Sequence, residues 1–206
     1  MTLLIKSIDD LARQKFDVFV PTMGALHAGH QSLIKLARQK SDRVLVSIFI
    51  NPLQFENKSD LESYPKSLEQ DLQIAEEAGA TSVFIPSVSD IYPGQIEKIK
   101  AGSVGDIFEG KSRPGHFSGV LTVVKRLFDL VKPQHAVFGE KDFQQLFLIK
   151  KMVNELNLPV NIVAAPTIRD SSNLALSSRN SRLSVEDKKV AQVIYQALIQ
   201  SSIDEA

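Results

Sequence analysis

The chain has 206 residues, 43% of them hydrophobic, which is enough to bury one sizeable core and predicts a single globular domain with at most a small appendage. Its 24 basic and 24 acidic side chains cancel, leaving no overall positive field to draw nucleic acid or an anionic membrane, and the absence of cysteine excludes disulfides, thiolate metal sites and a cysteine nucleophile. No apolar run approaches membrane-spanning length and no charged-then-apolar signal segment opens the chain, so a cytoplasmic protein with neither a membrane nor a nucleic-acid partner is expected.

Along the chain, five short runs rich in Val, Ile and Phe alternate with helical patterns. The first run, 18–20, leads through His27-Ala28-Gly29-His30 into a helix over 31–39 with Leu33, Ile34, Leu36 and Ala37 on one face. The second run, 44–50, is followed by a helix carrying Leu68, Leu72, Ala75 and Ala78, which Gly79 is placed to terminate. The third run is 82–85. A stretch over 86–119 exceeds an ordinary connection and is expected to be irregular and to serve the site. A helix over 120–131, a run at 136–138, a helix over 143–156 and a run at 161–164 complete the alternation. Ser184, with Asp187 three residues on, marks a further helix start. Continuous apolar strands separated by helices predict a parallel, doubly wound α/β sheet covered on both faces. The domain is expected over 1–183, with the beginning of a second, small domain over 184–206.

Ligands on such sheets bind beyond the carboxyl ends of the strands, and the chemistry-bearing residues fall there. The two histidines sit in a Gly-containing strand-to-helix turn, where unpaired N–H groups of the first helical turn attract anions and imidazoles can reach the same phosphate. Gly24 and Gly29 let backbone and phosphate approach closely. When a nucleophile attacks a nucleotide's α-phosphorus, charge moves onto the nonbridging oxygens and the departing pyrophosphate, and donors already in place lower that barrier. A G-x-x-x-x-G-K-S/T loop and a G-x-G-x-x-G turn are both missing, and a histidine pair at i, i+3 with no glutamate between is a poor zinc motif. Lys141, in Gly139-Glu140-Lys141-Asp142, is a mobile point charge for phosphate, although a solvated charged cap would have the same composition. Ser177, Ser178 and Arg179 can make a clamp for a triphosphate tail or a plain polar loop, and the amides of Asn51, Gln54 and Gln145 can read the hydroxyls of a small polar substrate or tie down loop backbone. Arg113-Pro114-Gly115-His116-Phe117 reads as a turn, and Glu69, Asp71 and Glu76 as acids on a solvated helix surface, one of which can hold Mg²⁺ through water.

Six ordered blocks, including residues 21–30, 51–55, 113–120, 138–142 and 176–180, resemble the pantothenate synthetase (pantoate–beta-alanine ligase) family. The H-x-G-H turn alone would point only to the wider nucleotidylyltransferase and aminoacyl-tRNA synthetase folds. The resemblance implies a Rossmann-like fold of the nucleotidylyltransferase type, a homodimer, and ATP with Mg²⁺. The implied reaction joins pantoate to β-alanine through pantoyl adenylate, releasing pyrophosphate and then AMP. By the same resemblance Met23, Gly24, Ala25, Leu26, His27, Ala28, Gly29 and His30 line the ATP site. His30 is the expected acid and His27 its partner in stabilising charge. Gly139, Glu140, Lys141, Asp142, Ile168, Leu176, Ser177, Ser178 and Arg179 complete that site, with Lys141, Ser177, Ser178 and Arg179 counted among the catalytic groups. Gln54 and Gln145 would hold pantoate, Gln54 and Asn51 would lie near β-alanine, and Asp71 would match a Mg²⁺ position. Ser172-Asn173 stands where the family usually has Asp-Gly; asparagine tolerates positive φ, so the turn is expected to survive. Family members continue into a small C-terminal domain that covers the site, and its absence would expose an acyl adenylate to water and weaken turnover. A nucleotidylyltransferase of the same fold and an inactive nucleotide-binding fragment are the competing readings.

Overall fold

A computed structural model describes residues 2–55, 58–65 and 67–201. The chain forms β1 (Leu3–Ile5), α1 (Ile8–Ala12), β2 (Val18–Thr22), α2 (Ala28–Arg38), β3 (Val44–Ile48), α3 (Lys58–Glu62), α4 (Leu68–Ala78), β4 (Ser82–Phe84) and α5 (Val88–Ile91). It continues through α6 (Glu109–Ser112), α7 (His116–Val131), β5 (His135–Gly139), α8 (Phe143–Glu155), β6 (Asn161–Ala165) and α9 (Val185–Ser201). Single 3₁₀ turns occupy Pro52–Gln54, Ser103–Asp106, Glu140–Asp142 and Ser178–Arg182.

The strands form one parallel sheet in the order β1-β4-β3-β2-β5-β6. Both faces are covered, which is why the strands read as continuous apolar runs. Alternate residues serve opposite cores: Val18, Val20, Val44 and Val46 pack with Ile34 and Ala75 on the α2 and α4 side. Phe19 and Leu45 pack with Leu121, Phe128 and Ile149 on the α7 and α8 side. The sixth strand, β1, was not anticipated. Its three residues lie at the sheet edge with Leu3 and Leu4 largely exposed, too few to show a period.

Helix starts also differ from expectation where side chains or backbone, and not apolar periodicity, set them. α2 begins at Ala28, three residues before the apolar pattern, because His27 caps it. α7 begins at His116 after Gly115, whose φ of +78° lies in the left-handed region. The stretch over 86–119 is therefore not simply irregular: it holds α5, a 3₁₀ turn, α6 and the first turn of α7. Gly79 ends α4 at φ 99°, donating to Ala75 and Glu76 carbonyls, and Ser184 and Asp187 cap the start of α9 reciprocally. Asn173 takes φ 67°, with the Asp170 carboxylate accepting from Ser172 and Leu174 N–H, so the turn is made without glycine. Along α9, Val190, Val193, Ile194 and Leu198 are exposed; residues 202–206 of the expected second domain lie outside the described residues.

Two contacts set the position of the loops above the sheet. After β2 the chain turns through Gly24 (φ 85°) and Ala25 (φ 51°), and the Asp71 carboxylate of α4 accepts from Ala25 N–H at 2.9 Å and Leu26 N–H at 2.7 Å. Asp71 is only 2% exposed and also lies 3.4 Å from the Ser67 hydroxyl. This corrects the reading of Asp71 as a solvated acid free to hold Mg²⁺: both its oxygens are occupied by the turn it supports. The second contact is between α7 and the 3₁₀ turn at Pro52–Gln54, where a Cβ on Gly119 would stand 2.2 Å from the Leu53 carbonyl oxygen.

Replacing Asp71 by Asn points an amide N–H₂ at one of two backbone donors, and is expected to cost about 1–3 kcal/mol in urea denaturation, equally with and without Mg²⁺. A loss that appears only when Mg²⁺ is present would return Asp71 to a metal role. Gly119→Ala is expected to cost about 1–3 kcal/mol by overpacking, whereas Gly139→Ala, which meets only Leu33 Cδ2 at 3.9 Å, should move the urea midpoint little.

Candidate active site

The site opens where two neighbouring strands separate. β2 pairs with β3 through all five residues but with β5 only through Val18 and Phe19. Two residues beyond Phe19 stands Pro21, which has no N–H to donate, and the gap is the crevice at which strand order reverses.

His27 and His30 stand on one wall of this crevice. Gly29 N–H donates to His27 Nδ1 at 3.1 Å, and His27 N–H donates to His30 Nδ1 at 3.3 Å. A backbone N–H can only donate, so both Nδ1 atoms are unprotonated, and a neutral ring then carries its proton on Nε2. Burial pushes His30 down to about 3, with the charges of His27 and Lys141 acting in the same direction; burial also lowers His27, again aided by Lys141. The ring centroids are 4.2 Å apart. The pair is thus two neutral donors side by side. One expectation is corrected: Gly29 N–H is occupied by an imidazole and is not a bare anion-binding amide. His30, the expected acid, presents its proton on Nε2.

Three adjoining cavities share Met23 and Asp142 and form one cleft. The first, about 180 Å³, is lined by His27, Gly29, His30, Gly139, Lys141 and Asp142, and by Ile168, Leu176, Ser177, Ser178 and Arg179. The second, also about 180 Å³, joins Asn51, Gln54 and Gln145 to an apolar wall of Val120, Val123 and Phe138. The third, about 210 Å³, brings Arg113, His116, Lys141 and Arg179 around Gln54 and Gln145. The sequence-expected residues thus converge, with six exceptions, Asp71 among them. Gly24 borders a different, largely apolar cleft beside Asp71, and Leu26 is buried in the α2-side core. Ala25, Ala28 and Glu140 line none of the three cavities. The clamp loop is tied down from α3: Asp60 bonds Arg179 at 3.3 Å and Arg182 at 3.2 Å, and Arg179 lies over the Tyr64 ring.

Asn51, expected to face substrate, is 1% exposed and its amide is occupied at both ends. Oδ1 accepts from Leu53 N–H (3.2 Å) and the Tyr92 hydroxyl (2.7 Å); Nδ2 donates to Gly119 O (3.1 Å) and Gln54 Oε1 (2.9 Å). The turn 113–117 proves to be more than a turn. His116 Nδ1 donates to the Gln54 carbonyl at 2.8 Å, which leaves Nε2 to accept from Arg113 at 3.1 Å, while Arg113 also pairs with Glu109 at 2.7 Å. Burial holds His116 below the ordinary imidazole range, so this neutral arrangement persists. Glu109, Arg113, His116 and Tyr92 were missed as site residues; for Arg113 and His116 the block 113–120 was the available signal. Among the described residues no group of three or more His, Cys, Asp or Glu is arranged to hold a metal ion.

The family profile described as pantoate-beta-alanine ligase matches residues 4–205. The chain is 49% identical over 208 aligned positions to a pantothenate synthetase of Aquifex aeolicus, covering 97% of this chain and 74% of that protein. It is 52% identical to one of Acidothermus cellulolyticus, covering 87% and 60%. The chain therefore spans between about three fifths and three quarters of the length of these relatives. Among solved structures, the pantothenate synthetase of Thermus thermophilus superposes with a TM-score of 0.91 at 44% identity, over 96% of this chain and 74% of that one. A Francisella tularensis pantoate-beta-alanine ligase complexed with β-γ ATP and β-alanine superposes with a TM-score of 0.89 at 44% identity, over 95% and 78%. With profile, sequences and structures agreeing over nearly all of its length, the chain belongs to the pantoate-beta-alanine ligase family.

Proposed function

We propose that this chain adenylates pantoate with ATP and passes the acyl group to β-alanine, giving pantothenate, AMP and pyrophosphate. The observation that carries this reading is the union, in one cleft, of two neutral Nε2–H donors with an amide-and-apolar compartment of small-molecule size. In the first step a pantoate carboxylate oxygen bonds to the α-phosphorus and the bond to the bridging oxygen of pyrophosphate breaks. His27 and His30 donate to the oxygens on which charge grows, and Lys141 and Arg179 balance the triphosphate. In the second step the neutral amine of β-alanine bonds to the acyl carbon, the C–O bond to AMP breaks, and the amine gives up a proton. Gln54 and Gln145 lie between the acyl compartment and the third cavity, whose mixed lining of Arg113, Lys141 and Arg179 with Glu109 and Asp142 suits an amine that also bears a carboxylate. The nucleotide is taken as its Mg²⁺ complex. Asp71 does not fit as a resident ligand, since its oxygens hold Ala25 and Leu26, and no step is assigned to a protein-bound metal. A cytoplasmic homodimer accompanies this reading as its expectation.

The deciding measurement is pyrophosphate release from ATP and Mg²⁺ with and without pantoate, before β-alanine is added. Pantoate-dependent release is expected, followed by AMP on addition of β-alanine; release indifferent to pantoate, or a product that keeps the nucleotide, overturns the reading. The pH profile tests the neutral imidazoles. With His30 near 3 and His27 lowered, release should show no falling limb centred on 6.5, the ordinary histidine value. Stability behaves differently: below pH 6.5 the unfolded chain protonates these rings while the folded chain does not. The urea midpoint should hold above pH 6.5 and fall as pH drops from 6.5 toward 3. A rate that halves near pH 6.5 would show that an imidazolium interferes, and would undo the assignment.

A further inference from the structure

Side-chain amides have two ends that look alike in shape and opposite in polarity, so what a glutamine recognises depends on which end faces the ligand. At Gln54 the answer follows from backbone groups that have only one polarity. Leu53 N–H is a donor, so the Asn51 atom beside it is Oδ1; Gly119 C=O is an acceptor, so the Asn51 atom beside it is Nδ2. The remaining hydrogen on Nδ2 then points to Gln54, whose facing atom must be the acceptor Oε1. Gln54 Nε2 is left with no hydrogen bond among the described residues, on a side chain that borders both substrate cavities. The remaining acceptor position of Asn51 Oδ1 takes the Tyr92 hydroxyl, which burial keeps protonated and therefore a donor.

We infer that Tyr92 and Asn51 are positioning residues that fix the Gln54 amide with its N–H₂ outward, making it a reader of oxygens that only accept, such as an ionised carboxylate. This inference rests on the function proposed above only for the identity of the acid, not for the polarity of the amide. It assigns a role to a tyrosine outside the cleft: Tyr92 lines none of its three cavities, and its ring packs edge-on against Phe49, which does border the acyl compartment. The hydroxyl acts only through Asn51. Without it, Asn51 Oδ1 keeps a single donor and the amide pair loses one of the bonds that hold its register.

The test uses Tyr92→Phe, which keeps the ring and its packing and deletes only the hydroxyl. In pantoate-dependent pyrophosphate release, KM for pantoate is expected to rise roughly three- to tenfold, the cost of one hydrogen bond, with kcat and KM for ATP little changed. In a Gln54→Ala background the same substitution should change nothing further, because its route to the substrate is gone. An equal effect of Tyr92→Phe in both backgrounds, or none in either, overturns the inference. A readout independent of turnover is side-chain amide exchange by NMR in the full chain. The Asn51 amide protons are expected to be protected and those of Gln54 to exchange freely and shift when pantoate is added. Protection in the reverse order overturns the relay. Failure of the functional reading looks different: pantoate then moves no resonance while the protection pattern still decides which way Gln54 points.

Discussion

The site depends on an incomplete ladder. β2 holds β3 through five residues but releases β5 after two, and everything chemical in the molecule is arranged around the opening this leaves. In a parallel sheet a strand interior is normally paired on both sides and closed to ligands. A proline at the point of separation removes the donor that β2 would otherwise direct at β5 there, so β2 can part from β5 without leaving a Pro21 N–H unpaired. The loops after β2, β3, β4 and β6 then rise on either side of the opening. The Met23–Leu26 turn is held by Asp71, the Asn51 turn by Gly119, the 113–117 turn by its bonds to Gln54, and the 178–182 turn by Asp60. Each clamp comes from a different element, which is why four loops far apart in sequence meet in one cleft.

Above the opening, backbone groups decide the polarity of the side chains that face the substrate. Gly29 and His27 N–H force the two imidazoles into the form with hydrogen on Nε2. The Gln54 carbonyl forces His116 into the opposite form, with hydrogen on Nδ1. Leu53 N–H and Gly119 C=O orient Asn51, and through it Gln54. A side chain can rotate or change tautomer at small cost, whereas a backbone group in a packed turn cannot, so the donors are set before a ligand arrives. That is the preorganisation from which electrostatic catalysis gains most, since no rearrangement is required as charge develops.

The sequence was informative wherever a periodic apolar pattern or a local turn decides the structure. Five strands, the main helices, Gly79 as a stop and Ser184 as a start all follow from neighbours within a few residues, while the turn at Asn173 was expected from the family resemblance. Residues acting across long separations were harder. Asp71 reads as one acid among several on a helix, because nothing local reveals that its carboxylate meets amides forty-five and forty-six positions away. Asn51 shows the converse: an amide beside a ligand loop reads equally as a ligand group or as a tie for loop backbone, and its four bonds are filled by a tyrosine, a glutamine and two backbone groups. Tyr92 lies in a stretch without periodicity and carried no signal. The histidine pair was visible as a motif, but its protonation was not, since that is set by burial and by bonds within the cap.

Charge and neutrality are divided by depth. The cationic side chains Lys141, Arg113 and Arg179 keep roughly a third of their surface in water, where a full charge is cheap to hold. The imidazoles, deeper and within the field of Lys141, stay neutral because a second buried positive charge would be disfavoured both by desolvation and by that lysine. The two sets therefore act at different distances. The cations, each beside a carboxylate (Lys141 with Asp142, Arg113 with Glu109, Arg179 with Asp60), interact with anions in a way that weakens with salt, while the neutral N–H groups act only at contact and are far less sensitive to it. A site that reversed this order, with imidazolium inside and neutral groups at the rim, would bind a ground-state triphosphate more tightly and gain less as charge redistributes in the transition state. On the proposed function, this arrangement reserves its contact interactions for the step in which charge moves.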